Sequence, residues 1–209
     1  MPTTLDSRNS ALAIGLCALF ASSCGSSPAP AAATPSSIAS SSAQPALVYA
    51  QSPQGTWVGA YGAAGYALLN WNNGSDLVSL PKSTIGIDQG DRFEWSSATT
   101  DVRALQSPDR STRRAEAITF DSEVRIRLTF SAAYSGTIHI YVVDWDRLDR
   151  RETVTINDGS APRTATISSD FSQGAWINAP INVAVGGTVT VVVSRTDGRN
   201  AVVSGVFLG

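Results

Sequence analysis

Hydrophobic side chains recur at every second position through much of the second half of this chain of 209 residues. In the segment EVRIRLTF (Glu123–Phe130), Val124, Ile126, Leu128 and Phe130 alternate with charged residues and threonine. Because successive side chains of a β-strand point to opposite faces, this period predicts a strand with one buried and one solvent-exposed face. Strands of this kind are typical of antiparallel sheets.

Similar segments occur on both sides of this strand. They share short length, many β-branched residues and flanking turns rich in Gly, Asn and Asp. The downstream segments are GTIHIYVVDW, ETVTIND, RTATISS, TVTVVVSR and AVVSGVFL, and the upstream segments are GTWVGAY, STIGI, RFEWSS and EAITF. About ten short strands without an amphipathic helix predict an all-β fold, an antiparallel β-sandwich of the jelly-roll type.

The first 24 residues have the layout of an export signal. A polar start that contains Arg8 precedes the apolar run ALAIGLCALFA (Ala11–Ala21). As a helix this run would span about 16 Å, too short for a hydrocarbon core of about 30 Å. The following ASSC (Ala21–Cys24) resembles the lipobox of bacterial lipoproteins, whose cysteine is lipidated. We therefore expect export to the cell envelope, either anchored to the membrane through Cys24 or secreted after ordinary cleavage.

Composition divides the remaining chain into two parts. Residues 25–53 are rich in Ser, Ala and Pro and nearly uncharged, so we predict a disordered linker there. Residues 54–209 hold the predicted strands and form the expected domain. Charged residues make up 15% of the chain and the net charge is -2, which excludes the basic surface of a nucleic-acid-binding protein.

The predicted domain lacks the sequence signatures of common enzymes. His139 is the only histidine and both cysteines precede residue 25, so a zinc site has too few ligands. A glycosidase needs two carboxylates that flank the sugar. Asp144 and Asp146 are two residues apart and would point the same way in a strand. We expect no enzyme activity, with a hydrolase that uses these aspartates as a minor alternative.

The cluster Asp144-Trp145-Asp146 is the strongest candidate for a site. If Ile138, Ile140 and Val142 face the core, the strand period carries both aspartates to the core side, where a carboxylate requires a cationic partner. The sequence offers Arg147, Arg150, Arg151 and, from the other sheet, Arg103. Three interpretations stay open: a charge-paired strand end, a calcium site formed by both aspartates, and a sugar-binding rim on which Trp145 stacks.

Four segments taken together carry a resemblance to a known kind of module. They are GTWVGAYGAAGYAL, FEWSSATTDVRALQ, YVVDWDRLDRRETVTI and VSRTDGRNAVVSGVFL. In this order they resemble a β-sandwich module of exported bacterial proteins, similar to galactose-binding-like jelly rolls and carbohydrate-binding modules. The resemblance implies a non-catalytic module that binds a glycan or another cell-surface ligand. Our candidate ligand-binding residues are Asp144, Trp145, Asp146, Arg103, Trp95 and Trp176.

A second hypothesis assigns the domain to a different class. A structural or adhesion protein of the envelope would act through protein–protein contacts and would need no glycan site. In that case the tryptophans and the glycine-rich segment would serve packing and tight turns alone.

Overall fold

The computed structural model describes residues 45–209, which form strands and turns without a helix. Consequently no helix in this part of the chain could cross a bilayer. The predicted signal, Cys24 and most of the predicted linker lie outside the described residues. The strands are β1 (Val48–Ala50), β2 (Gly65–Leu68), β3 (Leu77–Ser79), β4 (Ser83–Gln89), β5 (Asp91–Ser96), β6 (Leu105–Gln106), β7 (Arg113–Phe120), β8 (Glu123–Phe130), β9 (Tyr134–Val142), β10 (Arg151–Asn157), β11 (Arg163–Ile167), β12 (Ala175–Val183), β13 (Thr188–Asp197), β14 (Ala201–Val203) and β15 (Gly205–Leu208).

Three antiparallel sheets organise these strands. A six-stranded sheet has the order β1-β12-β9-β15-β2-β3, and a five-stranded sheet has the order β11-β10-β13-β8-β4. A smaller sheet places β7 between β14 and β5, and β6 also pairs with β7. The predicted all-β sandwich is confirmed.

The main core contains the alternating apolar residues of both large sheets. Val124, Ile126 and Leu128 of β8 are buried there with Ile138 and Ile140 of β9, as the period of two predicts. The opposite face of β8 is exposed, so the five-stranded sheet has the expected solvent-facing side.

The outer face of the six-stranded sheet is buried as well. We had expected this face to be exposed to solvent. Tyr141, Trp176 and Phe207 lie on this face in a second apolar cluster. Trp57, from the segment between β1 and β2, packs on them with its ring centroid 5.0 Å from that of Phe207. The Trp176 indole N–H donates to the Gln54 carbonyl over 2.9 Å. Loop segments that cover the sheet are the physical reason for the difference.

Strand boundaries differ from prediction in three places. Val48–Ala50 form β1 on the edge of the six-stranded sheet, N-terminal to the boundary that we predicted at residue 54. AVVSGVFL divides at Ser204 into β14 and β15, which belong to different sheets. Pairing also gives fifteen strands instead of about ten, because several of them are only two to four residues long.

Candidate functional site

Asp144 lies in the loop after β9 and is almost fully buried. Its Oδ1 accepts hydrogen bonds from the Leu148 backbone N–H at 3.0 Å and from the Arg150 guanidinium. Its Oδ2 accepts from the Arg150 backbone N–H at 3.3 Å. Both oxygens accept hydrogen bonds from protein donors, so Asp144 is a structural residue of this loop.

Arg150 binds both aspartates of the cluster. Its side chain is 2% exposed and donates to Asp144, to Asp146 and, over 2.8 Å, to the Asn200 side-chain oxygen. One buried guanidinium therefore connects the loop after β9 to the loop before β14. We call Asp144, Arg150 and Asp146 the arginine clasp. A charge-paired strand end is the arrangement that the structure contains.

The expectation that both aspartates face the core is wrong for Asp146, whose side chain is 32% exposed. Strand β9 ends at Val142, so its period of two does not extend to residue 146. The loop then turns through positive φ angles of 55° at Arg147 and 53° at Asp149. This turn leaves Asp146 at the surface while Asp144 remains inside.

Arg103 has a different role from the one we expected. Its Nη2 pairs with Asp101 at 2.8 Å, so it is not the cation of the aspartate cluster. The guanidinium also lies over the Trp145 ring, 4.3 Å from the ring centroid. Trp145 packs against the second apolar cluster, and the arginine covers a face of its ring. The ring is therefore poorly placed to stack on a sugar.

A calcium ion does not fit the two aspartates. The Arg150 guanidinium contacts both carboxylates and supplies the positive charge that Ca²⁺ would bring. Within residues 45–209, no group of three or more His, Cys, Asp or Glu side chains could hold a metal ion.

The smaller sheet forms a surface cleft of about 330 Å³ beside the arginine clasp. Antiparallel pairing with β7 brings β5 and β14 together. Asp91 of β5 pairs with Thr119 of β7. The next residue of β7, Phe120, pairs with Ala201 of β14. The lining comprises Asp91, Arg92, Phe93, Trp95, Thr119, Asp121, Asp146, Arg150, Arg199 and Asn200. We call this the β5 cleft.

Two aromatic rings contact each other edge to face in the β5 cleft. Phe93 and Trp95 occur two residues apart on β5, and their ring centroids are 5.0 Å apart at an interplanar angle of 69°. Phe93 is 46% exposed, a large fraction for an apolar ring. The Trp95 indole N–H is shielded from solvent and finds no hydrogen-bond partner among residues 45–209. The Arg150 guanidinium lies over the Trp95 ring, 5.7 Å from its centroid, so the exposed apolar surface of the cleft is the Phe93 ring.

Three aspartates and three arginines line the β5 cleft. Two of the arginines also pair with carboxylates outside the lining, Arg92 with Asp76 and Arg150 with Asp144. Burial acts to raise the pKa of Asp146, but the Arg150 guanidinium and the adjacent Trp95 indole outweigh it and hold that pKa below its ordinary value. The Trp95 indole N–H lies near the Asp146 carboxylate, although the two do not form a well-aligned hydrogen bond. Asp146 is therefore an ionised acceptor at neutral pH.

The structure brings two of the six sequence-predicted residues, Trp95 and Asp146, into this cleft. Asp144 is buried and pairs with Arg150, and Trp176 is fully buried in the second apolar cluster. Arg103 and Trp145 cover each other elsewhere in the loop region.

Sequence reasoning missed Phe93, Asp121, Arg199 and Asn200. The alternation of Phe93 with Trp95 in RFEWSS was a signal for one shared face. The contribution of the other three residues depends on the pairing of β14 with β7, for which the sequence carries no local signal.

Comparison with solved structures finds proteins of similar architecture at low sequence identity. TmCBM61 in complex with beta-1,4-galactotriose matches with a TM-score of 0.38 and 12% identity, over 61% of this chain and 88% of that one. A family 35 carbohydrate-binding module, CBM35 from Cellvibrio japonicus Abf62, matches with a TM-score of 0.33 and 12% identity, over 77% of this chain and 91% of that one.

An enzyme is also among the matches. The exo-beta-1,3-galactanase from Phanerochaete chrysosporium matches with a TM-score of 0.36 and 14% identity. The match covers 64% of this chain and 30% of the enzyme. No protein-family model matches the chain, and no curated protein matches it. The ligands named belong to those proteins.

Glu152 adds an ionisable group inside the domain, two residues after Arg150. It is fully buried on β10, and its Oε1 accepts the Val202 backbone N–H over 2.7 Å. Its Oε2 has no partner among the described residues. Burial raises the pKa of Glu152 well above its ordinary value, so the folded protein holds this proton at pH values where the unfolded chain has released it.

This protonation makes stability depend on pH. Between the ordinary and the raised pKa, the folded state holds a proton that the unfolded state releases, so the free energy of unfolding falls as pH rises, by up to about 1.4 kcal/mol per pH unit. We expect Glu152→Gln to remove this dependence and to gain stability relative to the wild type from pH 4.5 upward. Urea unfolding at several pH values measures the difference. The exposed Glu94→Gln is the control, and a pH-independent difference for Glu152→Gln contradicts the assignment.

Proposed function

We propose that the domain is a non-catalytic module that binds neutral saccharides in the β5 cleft. The observation that carries the proposal is the exposed Phe93 ring beside Trp95, next to carboxylate, guanidinium and amide groups. A sugar ring has an apolar face that stacks on aromatic rings and hydroxyls that exchange hydrogen bonds with such polar groups. The volume of about 330 Å³ lies within the range of ligand pockets.

The presence of both signs of charge supports a neutral ligand. A charged ligand would lie beside lining groups of its own sign, whether aspartates or arginines. A neutral, hydroxyl-rich ring can donate to Asp146 and accept from Arg199.

The same groups argue against glycoside hydrolysis. A glycosidase needs a carboxylic acid whose pKa is raised so that it can protonate the leaving oxygen. Asp146 has a lowered pKa, and Asp144 is enclosed by its hydrogen bonds. Neither aspartate is suited to the role of proton donor.

A glycan array followed by calorimetric titration of the best saccharide tests the cleft. We expect Phe93→Ala to weaken binding on the order of tenfold, about 1.4 kcal/mol, because the stacking surface is lost. Asp146→Asn should weaken binding through the loss of a charged acceptor. Tyr49→Ala removes an aromatic side chain that is 38% exposed on β1, outside the cleft, and is the matched control. Equal affinities for Phe93→Ala and Tyr49→Ala, or no saccharide bound at all, would refute the proposal.

We also propose that the chain is exported and anchored by a lipid on Cys24, so that the Ser/Ala/Pro-rich segment before β1 tethers the module to the envelope. The support is the apolar run followed by ASSC in the sequence.

Metabolic labelling with a radioactive fatty acid in a bacterial host tests this anchor. The wild type and Cys17→Ser should incorporate label, because Cys17 lies within the apolar run, whereas Cys24→Ser should not. Label in Cys24→Ser, or none in the wild type, contradicts the proposal.

A further inference from the structure

A second pocket of about 360 Å³ opens in the glycine-rich segment between β1 and β2 and shares no lining residue with the β5 cleft. Its walls include Trp57, Tyr61 and Tyr66, with Pro108 and Gly209 at the side. An apolar cavity of about 150 Å³ is already large enough to bind benzene. This pocket therefore has room for a small ring compound.

The walls of this pocket are held in place by the fold. The Trp57 indole N–H donates to the Gln106 carbonyl over 2.8 Å, and the ring lies 4.8 Å from that of Tyr66. Tyr61 packs between His139, at 4.3 Å, and Trp176, at 4.4 Å, measured between ring centroids. These contacts fix the aromatic rings before any ligand arrives.

The backbone of the segment is equally constrained. The N–H groups of Ala60 and Tyr61 both donate to the Trp57 carbonyl at 2.9 Å. Gly62 has a φ of +78°, and a β-carbon there would stand 3.0 Å from the Trp57 ring. The tight turn therefore requires glycine and presses the segment against the indole. The result is a preformed concave site, which small-molecule ligands favour.

The chemistry of the lining differs from that of the β5 cleft. The lining itself contains no Asp, Glu, Lys or Arg, and the neighbouring Arg110 guanidinium donates to the Val58 carbonyl over 3.2 Å. A charged ligand would therefore lose water without gaining a counter-charge from the lining. The Trp57 N–H is already used, and the tyrosine hydroxyls are the remaining polar side-chain groups. A sugar ring would leave most of its hydroxyls without partners here. Burial raises the pKa of Tyr61, which keeps its hydroxyl neutral.

We propose that this pocket is a second ligand site, which takes a small uncharged aromatic ring such as a phenol. The ring would stack among the aromatic walls, and its single hydroxyl would need only one partner. Because this lining shares no residue with the β5 cleft, variants can test the two sites separately.

Amide NMR of the full chain, titrated with p-cresol, indole and methyl galactoside, tests this proposal. We expect saturable shifts of the Gly59 and Gly62 amides with p-cresol and indole, and none with methyl galactoside. Ala60→Phe places a ring in the pocket from an exposed position and should weaken p-cresol binding at least tenfold. Ala184→Phe, at an exposed alanine elsewhere, and the cleft variant Phe93→Ala should leave p-cresol binding unchanged.

Shifts of the Gly59 and Gly62 amides that survive Ala60→Phe, or that methyl galactoside produces equally well, would overturn the proposal. So would a titration in which p-cresol causes no shifts there. If Ala60→Phe disturbs the fold, Tyr66→Leu decides instead, because it removes one aromatic wall and should also weaken p-cresol binding. A negative result here does not contradict the proposed saccharide binding at the β5 cleft. That proposal is tested with other variants, Phe93→Ala and Asp146→Asn.

Discussion

The arrangement of the β5 cleft depends on a single buried guanidinium. Arg150 neutralises Asp144 inside the domain, holds Asp146 at the surface and reaches Asn200 in the loop before β14. A buried carboxylate without a partner is costly, so the loop after β9 is stable only with this arginine in place. The ion pair between Arg150 and Asp146 positions the carboxylate that faces the cleft. The Arg150 side chain therefore links the stability of the loop after β9 to the proposed binding site.

Burial of the outer face of the six-stranded sheet shapes the remaining surface. Trp57 and its neighbours cover Tyr141, Trp176 and Phe207, which turns residues that might have met solvent into a second core. The segment that provides this cover also forms the aromatic pocket. On the smaller sheet, β5 lies at an edge and presents Phe93 to solvent. An apolar pocket and a polar cleft thus arise from different elements and suit different ligands.

The fold was predictable where the period of two operates over a whole strand, as it does for β8. Prediction failed at Asp146 because the period was extended past Val142, where the strand ends. The burial of Trp176 depends on a chain segment about 120 residues away, whose carbonyl accepts its N–H. The cleft combines β5, β7 and the loop before β14, and such pairing between distant segments leaves no local mark in the sequence.

The free energy of unfolding of Arg150→Ala tests the role of this guanidinium most directly. Denaturant unfolding should show a loss of about 3–5 kcal/mol, because Asp144 would remain buried without its cation. Arg125→Ala breaks an exposed pair with Glu123 and should change stability by no more than about 0.5 kcal/mol. The double variant Asp144→Asn with Arg150→Ala should lose less than the sum of its single variants. An Arg150→Ala protein as stable as Arg125→Ala would contradict the account.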